Sequence, residues 1–467
     1  MVRRGKRYGR YAFVGEIFVR MRVGRILCLW SGVCSERSGV VLERTQRGKY
    51  DKIGKAVLHT VILLYGLSMV FLFYKQTGWT GGAVYESDLP VHIRMIVADG
   101  WYYSLTALVY QLLFLIPVTL PDGALFGNLA VAVFLALCGW LSVYLTAFLL
   151  KDMQKGQIGG GGQKERGGEN TGKKAGEMIG VWHLLGGLAL NLVMPCYVRG
   201  ISDGRYIGME AASIWHNSTY IVMKMTGLWC VLCYGRLAGK YRRGITWKEW
   251  GGFTLLLSAC TAVKPSFLLV FAPVMAVFLL ADLLRGTAFR SVFVFGSTVF
   301  LPLLVVLFQN VILFGADTGN GWEIRPGYAL SLHSAYPLLS AVLSIFFPLV
   351  LLPFFLKDMP KERWLSGAWL MAAAGFLEVF LFTETGSRAV DGNFMWGYSF
   401  AILMIFAAML VKWAELGKRM RQKGEGGKDR FRAGIFAAAG LLLGWHLYCG
   451  IYFYTHLLRG VSYYMWD

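Results

Sequence analysis

Four short stretches of this 467-residue chain hold residues whose types could carry chemistry. The first runs Tyr85-Glu86-Ser87-Asp88-Leu89-Pro90-Val91-His92. Two carboxylates and an imidazole suit general-base work or metal ligation. The same residues also make a sound helix start, with Ser or Asp as cap and Pro in the first turn. The second stretch, Trp215-His216-Asn217, sets an aromatic face beside two hydrogen-bonding side chains, as sugar binding requires. A Trp at a membrane boundary and an Asn cap are the structural reading of those residues.

The third stretch is Lys264-Pro265-Ser266, a lone ammonium between two apolar runs. Such a charge is costly unless hydrated or paired. It either snorkels to the interface or holds a phosphate where lipid headgroups lie. The fourth runs from Glu384 and Arg388 through Asp391 and Asn393 to Trp396. Carboxylates, a guanidinium fork and aromatic rings fit recognition of a polar acceptor together with an anion, and structural ion pairing uses the same types. Arg94 and Arg205 add further cations nearby in sequence.

These stretches must be positioned by apolar elements. The chain is 56% hydrophobic and only 16% charged, with a formal net charge of +20. Its Lys and Arg residues flank long apolar runs, the pattern of cytoplasmic loops facing anionic lipid. No basic-aromatic patch grips a phosphate backbone, so nucleic acid is not an expected partner. The eight cysteines lie mostly in apolar runs, and the Cys230-x-x-Cys233 pair lacks the context of a redox motif.

A span needs about 20 apolar residues. Runs at 55–74, 124–150, 179–198, 218–237, 250–263, 265–284, 289–314, 336–356, 364–382, 394–412 and 434–457 meet or approach that length. Positive charge decides the run at 102–120, which Pro117 and Pro121 interrupt. Counting it as a span would place the Lys-rich stretch 151–174 outside, so it is read as a helix in the outer interface. The expected fold is an all-α polytopic membrane protein with about eleven transmembrane helices. Residues 1–54 form a basic cytoplasmic extension, 55–457 the membrane domain and 458–467 a short outer tail. In this topology all four reactive stretches face outward, with Asp203, Glu210, Asp317, Glu323, Arg325 and His333 also outside. The inner loops are repetitive Lys, Arg and Gly, as in 159–162 and 424–427, and read as solvated tethers.

That layout resembles the GT-C superfamily of membrane glycosyltransferases, which use polyprenyl-phosphate sugars as donors. One outward span precedes a long loop with an acidic site, Glu86 and Asp88. A Tyr-rich interfacial segment follows, Trp101-Tyr102-Tyr103-Ser104-Leu105-Thr106, then a span ending at Lys151, and later a short outward run ending at Lys264. The likeness covers most of 55–457. GT-C members often carry adjacent acids, whereas Ser87 separates them here, and the usual Pro before the Tyr pair is absent.

The resemblance implies a plasma-membrane enzyme of the cell envelope, its N-terminus cytoplasmic and its active site extracytoplasmic. Its partners are membrane lipids, a lipid-linked sugar donor and an extracytoplasmic glycan, lipid or protein acceptor. It implies Asp88 as base with Glu86 behind it, and Lys264, Arg388, Arg205 and Arg94 as binders of the leaving phosphate. His92, Trp215, His216, Asn217, Glu384, Asn393 and Trp396 would bind sugar or acceptor, and His92 or His216 would help to hold a divalent metal ion where one is used. The alternative is a lipid-linked saccharide flippase or other transporter, whose ionisable residues sit at mid-membrane. Glu378, inside the 364–382 run, is the main residue of that kind. A polymerase or ligase would centre on one large late outer loop, whereas the outer segments here are short and dispersed.

Overall fold

The computed structural model describes residues 44–79, 84–97, 104–106, 109–110, 113, 123–159, 179–198, 201, 211–315, 319–332, 334–389, 391–422 and 427–461. They form α1 (Arg44–Thr77), α2 (Leu89–Val97), α3 (Gly123–Gly159), α4 (Val181–Leu190), α5 (Ser218–Ala238), α6 (Trp247–Val263) and α7 (Ser266–Leu284). After these come α8 (Phe289–Gly296), α9 (Phe300–Phe314), α10 (Tyr328–Ser331), α11 (Pro337–Ser344), α12 (Phe346–Phe355), α13 (Arg363–Leu381), α14 (Met395–Gln422) and α15 (Gly427–Leu458). The sheet among the described residues is one antiparallel pair, β1 (Gly321–Ile324) with β2 (Phe382–Thr385), in which Trp322 faces Glu384.

Among the described residues, eight helices are long and apolar enough to cross a membrane: Tyr50–Thr77, Gly127–Gly156, Ser218–Ala238, Ser266–Leu284, Phe289–Phe314, Arg363–Leu381, Met395–Met420 and Arg430–Leu458. The fold is therefore an all-α multi-pass membrane bundle. The other three expected spans take different forms. Residues 250–263 lie in α6, a helix of 17 residues. The 336–356 run is the pair α11 and α12, bent by 72° at Ile345. The 179–198 run is helical for only ten residues, in α4, and then irregular. Helix α1 reaches back into the basic stretch expected as an extension. The expected interfacial helix at 102–120 lies mostly outside the described residues.

A buried break in a helix leaves backbone groups that lipid cannot satisfy, so protein must. One side chain serves both breaks. His446 of α15 places Nδ1 2.7 Å from the carbonyl of Met194 in the irregular segment after α4, and Nε2 accepts from Phe347 N, just past the bend, at 3.3 Å. A carbonyl only accepts, so Nδ1 carries the proton. Met194 N returns a bond to His446 O at 3.2 Å, and Cys196 N donates to Leu343 O at 3.1 Å.

The bundle gathers its reactive loops at one end. Tyr85 N donates to Gly460 O, the loop 211–217 meets α2, Lys264 follows α6, and β2 follows α13. The other end holds the paired charges. Asp282 accepts from Tyr241 at 2.6 Å and pairs with Arg242 and Arg363. Buried Lys412 contacts Asp358, Glu362 and Glu415 at 3.0, 2.8 and 2.6 Å. Helix α14, almost wholly buried, is the central post. Gly375 lets α13 lie against it, because a Cβ there would stand 2.7 Å from Tyr398 Cα.

Candidate functional site

Ser87 and Asp88 begin α2 as the sequence leads one to expect. Ser87 Oγ accepts from Leu89 N at 3.1 Å and donates to His216 O at 3.0 Å. The serine that separates the two acids thus ties the first loop to the second. Tyr85 takes a left-handed φ of 55°, rare for a bulky residue. Its backbone and hydroxyl are both held by the end of α15, through Gly460 O and Leu458 O. The turn brings Asp88 over the start of α5.

There Asn217 caps α5, its Oδ1 accepting from Tyr220 N at 2.8 Å. Its Nδ2 donates to Asp88 Oδ2 at 3.1 Å, and His92 Nε2 lies 3.3 Å from the same oxygen, one helical turn on. Asn217 Oδ1 also lies 3.4 Å from Lys264 Nζ, which donates to Thr219 Oγ1 at 2.9 Å. Below the ammonium lies the Trp396 ring, its centroid 4.9 Å away. That is a cation–π geometry, worth more in a desolvated site than at an exposed one. Carboxylate, amide and ammonium therefore form one chain, with imidazole and indole beside it.

The fourth stretch closes the other side. Glu384 sits on β2, and Asn393 N and Nδ2 both donate to its carboxylate, at 3.0 to 3.1 Å. Arg388 pairs with Glu384 at 3.4 Å and with Asp391 at 3.3 Å. Gly386 turns the chain at a φ of +74°, and a Cβ there would stand 2.5 Å from Gly319 O, so the turn requires glycine. Arg388, Glu384 and Asp391 all act on the charge of Lys264, as Asp88 does, so the two clusters share one electrostatic field.

Burial and charge tune these groups in opposed directions. Burial lowers Lys264 to about 8, against the pull of Asp88. Burial holds His216 near 4, with Asp88 opposing and Lys264 assisting, so its imidazole is neutral at pH 7. For Asp88 burial pushes upward, but His92, His216 and Lys264 outweigh it and hold the carboxyl below its ordinary value. Its side chain is 33% exposed although Oδ1 is fully enclosed, which describes an acid recessed in a cleft. Burial raises Glu384 despite the Asn393 bonds. Asp88 Oδ1 and Trp396 Nε1 have no hydrogen-bond partner among the described residues. Buried polar atoms of this kind are expensive to leave without a partner.

The structure thus joins Asp88, His92, His216, Asn217, Lys264 and Trp396, with Glu384, Arg388 and Asn393 adjacent. Glu86 is half-buried at the loop's edge, and Arg94 is exposed on α2. Trp215 turns away from the site: it is buried, donates to Tyr65 Oη at 3.0 Å and packs on Tyr454. Arg205, Asp203, Glu210, Asp317 and His333 lie outside the described residues. Thr219, two residues past the Asn217 cap, is a site residue for which the sequence carries no separate signal; its hydroxyl accepts from Lys264. No third His, Cys, Asp or Glu joins Asp88 and His92 in a metal-ligand cluster among the described residues. The acidic cluster of suitable spacing among the described residues, Asp358, Glu362 and Glu415, surrounds Lys412 at the other end. No family model and no curated protein matches this chain.

Proposed function

We propose that the protein is a membrane glycosyltransferase that moves a sugar from a polyprenyl-phosphate donor to an extracytoplasmic glycan, lipid or protein acceptor. The observation that supports it is the Asp88–Asn217–Lys264 chain at one end of a membrane bundle. An acceptor hydroxyl attacks the anomeric carbon, its proton passes to Asp88, and the bond from carbon to phosphate oxygen breaks. The departing phosphate takes the bonding electron pair and so gains a negative charge, which a fixed buried ammonium stabilises without reorganisation. Lys264 has that position; Arg388 is engaged by two carboxylates and acts at longer range. His216, neutral at pH 7, offers the acceptor a hydrogen bond, and Trp396 offers a stacking face. The site end is extracytoplasmic in this reading, because the Lys- and Arg-rich loops belong to the other end. Such a protein resides in the plasma membrane with its N-terminus inside.

The test uses cells lacking the protein, supplied with labelled polyprenyl-phosphate sugar and complemented with wild type or Asp88→Asn. Loss of one surface glycan, restored by wild type and not by a normally inserted D88N protein, supports the transferase. Full rescue by D88N removes Asp88 from the chemistry.

One observation favours the transporter reading. Glu378 is 7% exposed within α13, and neither carboxylate oxygen has a hydrogen-bond partner among the described residues. Intramembrane acids of this kind mark ion or proton pathways. Loss of function in Glu378→Gln together with full rescue by D88N is the result a transporter gives.

A further inference from the structure

Behind the site, inside the bundle, lies a second lone cation. Lys224 occupies the second turn of α5, seven residues past the Asn217 cap, or roughly 10 Å at the helical rise. It is 7% exposed. Its ammonium donates to Ala212 O at 3.1 Å, a carbonyl that also accepts from Tyr220 Oη at 3.2 Å. No charged side chain among the described residues acts on it. A charge at this depth is paired or lines a polar cavity.

A cavity adjoins it. A space of about 20 Å³ lies between α1, α3, the segment after α4, the loop before α5 and α5 itself, with Tyr65, Ser142, Asn191, Ser213, Trp215 and Lys224 as its polar lining. That volume accommodates one water or one monatomic ion. Charge and hydrogen-bond capacity choose between them. Most donors on this wall are spent within the protein. Asn191 Nδ2 donates to Gly187 O and Thr146 Oγ1, Ser142 Oγ to Cys138 O, and Trp215 Nε1 to Tyr65 Oη. The donors left are two of the three ammonium N–H bonds of Lys224 and the hydroxyl of Ser213, whose buried Oγ has no partner among the described residues. The wall therefore offers positive charge and free donors but no carboxylate.

We infer that Lys224 and Ser213 form a buried site for a small monatomic anion, chloride in physiological solution. The anion neutralises the ammonium and receives the Ser213 proton. It pins the irregular segment that runs from Ala211 through Ser213 to His216 and Asn217, so its occupancy supports the geometry of the outer site. The inference stands apart from the glycosyl-transfer reading, since a transporter would use the same anchor.

The test is thermal unfolding of the purified full-length protein in detergent, in sodium chloride against sodium gluconate at equal ionic strength. A site that binds the native state raises the melting temperature saturably with the free ion. The expected result is a rise of several degrees in chloride, reproduced by bromide and absent in Lys224→Met. Crystals grown in bromide should show an anomalous peak beside Lys224 Nζ; this arm uses wild type and decides the matter if Lys224→Met does not fold. Equal melting in chloride and gluconate, an equal chloride effect in K224M, or no bromide peak at Lys224 would each overturn the inference and leave a water in the cavity.

Discussion

Asn217 donates its side-chain N–H to Asp88 Oδ2 over 3.1 Å, while its own Oδ1 receives the first-turn amide of α5. One amide therefore does two separable things: it closes a helix, and it orients a carboxylate toward Lys264. An amide is the side chain suited to this, because it presents a donor to the acid and an acceptor to the ammonium.

Substitution can split those two tasks. Asn217→Asp keeps the acceptor that caps α5 and faces Lys264, but loses the donor and sets a second negative charge against Asp88. Its melting temperature should stay near wild type while sugar transfer falls at least tenfold. Asn217→Ala should lose transfer as well and destabilise the protein by about 1 kcal/mol, the usual cost of a lost cap. Unfolding curves and a transfer assay on the two variants decide it. Equal activity in N217D and wild type would mean that the bond to Asp88 is incidental.

Lys264 gives the site an alkaline limit. Burial brings its ammonium down to about 8, so the charged form that would meet the donor phosphate in the proposed reaction is lost as pH rises through that value. The ratio kcat/KM reports groups of the free enzyme, and it should decline about tenfold per unit above pH 8. In Lys264→Arg the guanidinium stays charged, so any activity that survives should show no such limb. A flat profile between pH 7 and 10 in the wild type would remove Lys264 from donor binding.

The clusters at 86–92, 264 and 384–396 were legible because charged side chains between apolar runs must lie near a membrane surface, and alternating spans then bring them to one face. What escaped was direction and continuity. Trp215 and His216 are neighbours in sequence, yet one packs on Tyr65 and the other faces Trp396. No periodicity distinguishes them in an irregular segment. The breaks inside 179–198 and 336–356 escaped for another reason. Both runs are as apolar as a continuous helix, and the side chain that satisfies them, His446, lies 252 and 99 residues away in sequence.

His216 makes the fold sensitive to acid. Its folded value near 4 lies below the ordinary 6.5, so the folded state disfavours its proton. The stability this gives is complete above 6.5 and is lost as pH falls from 6.5 toward 4. The loss between pH 7 and pH 5 should be about 2 kcal/mol. Asp88, held below its usual value, acts in the same direction at lower pH. Melting temperatures measured across pH 4 to 7 should show the decline in wild type and a shallower one in His216→Gln. Parallel curves would assign the acid sensitivity elsewhere.

His446 and Gly450 test whether the broken spans are fixed structure. A Cβ on Gly450 would lie 1.5 Å from Leu192 O, a backbone atom of the irregular segment after α4 that cannot yield without moving that segment. Gly450→Ala should therefore fail to give a stable folded protein, or melt far below wild type. His446→Phe is the milder probe, since it keeps a ring in the core and removes only polar contacts. It leaves the Met194 carbonyl and the Phe347 amide buried without their partner, at about 1–3 kcal/mol each. The two losses fall on different breaks, so a drop near one such value means that one break finds another partner. A drop near their sum means that both depend on the one imidazole. An unchanged melting temperature in H446F would show that the two breaks hold their shape without it, and that packing against α15, with Gly450 at its closest approach, is what keeps them open.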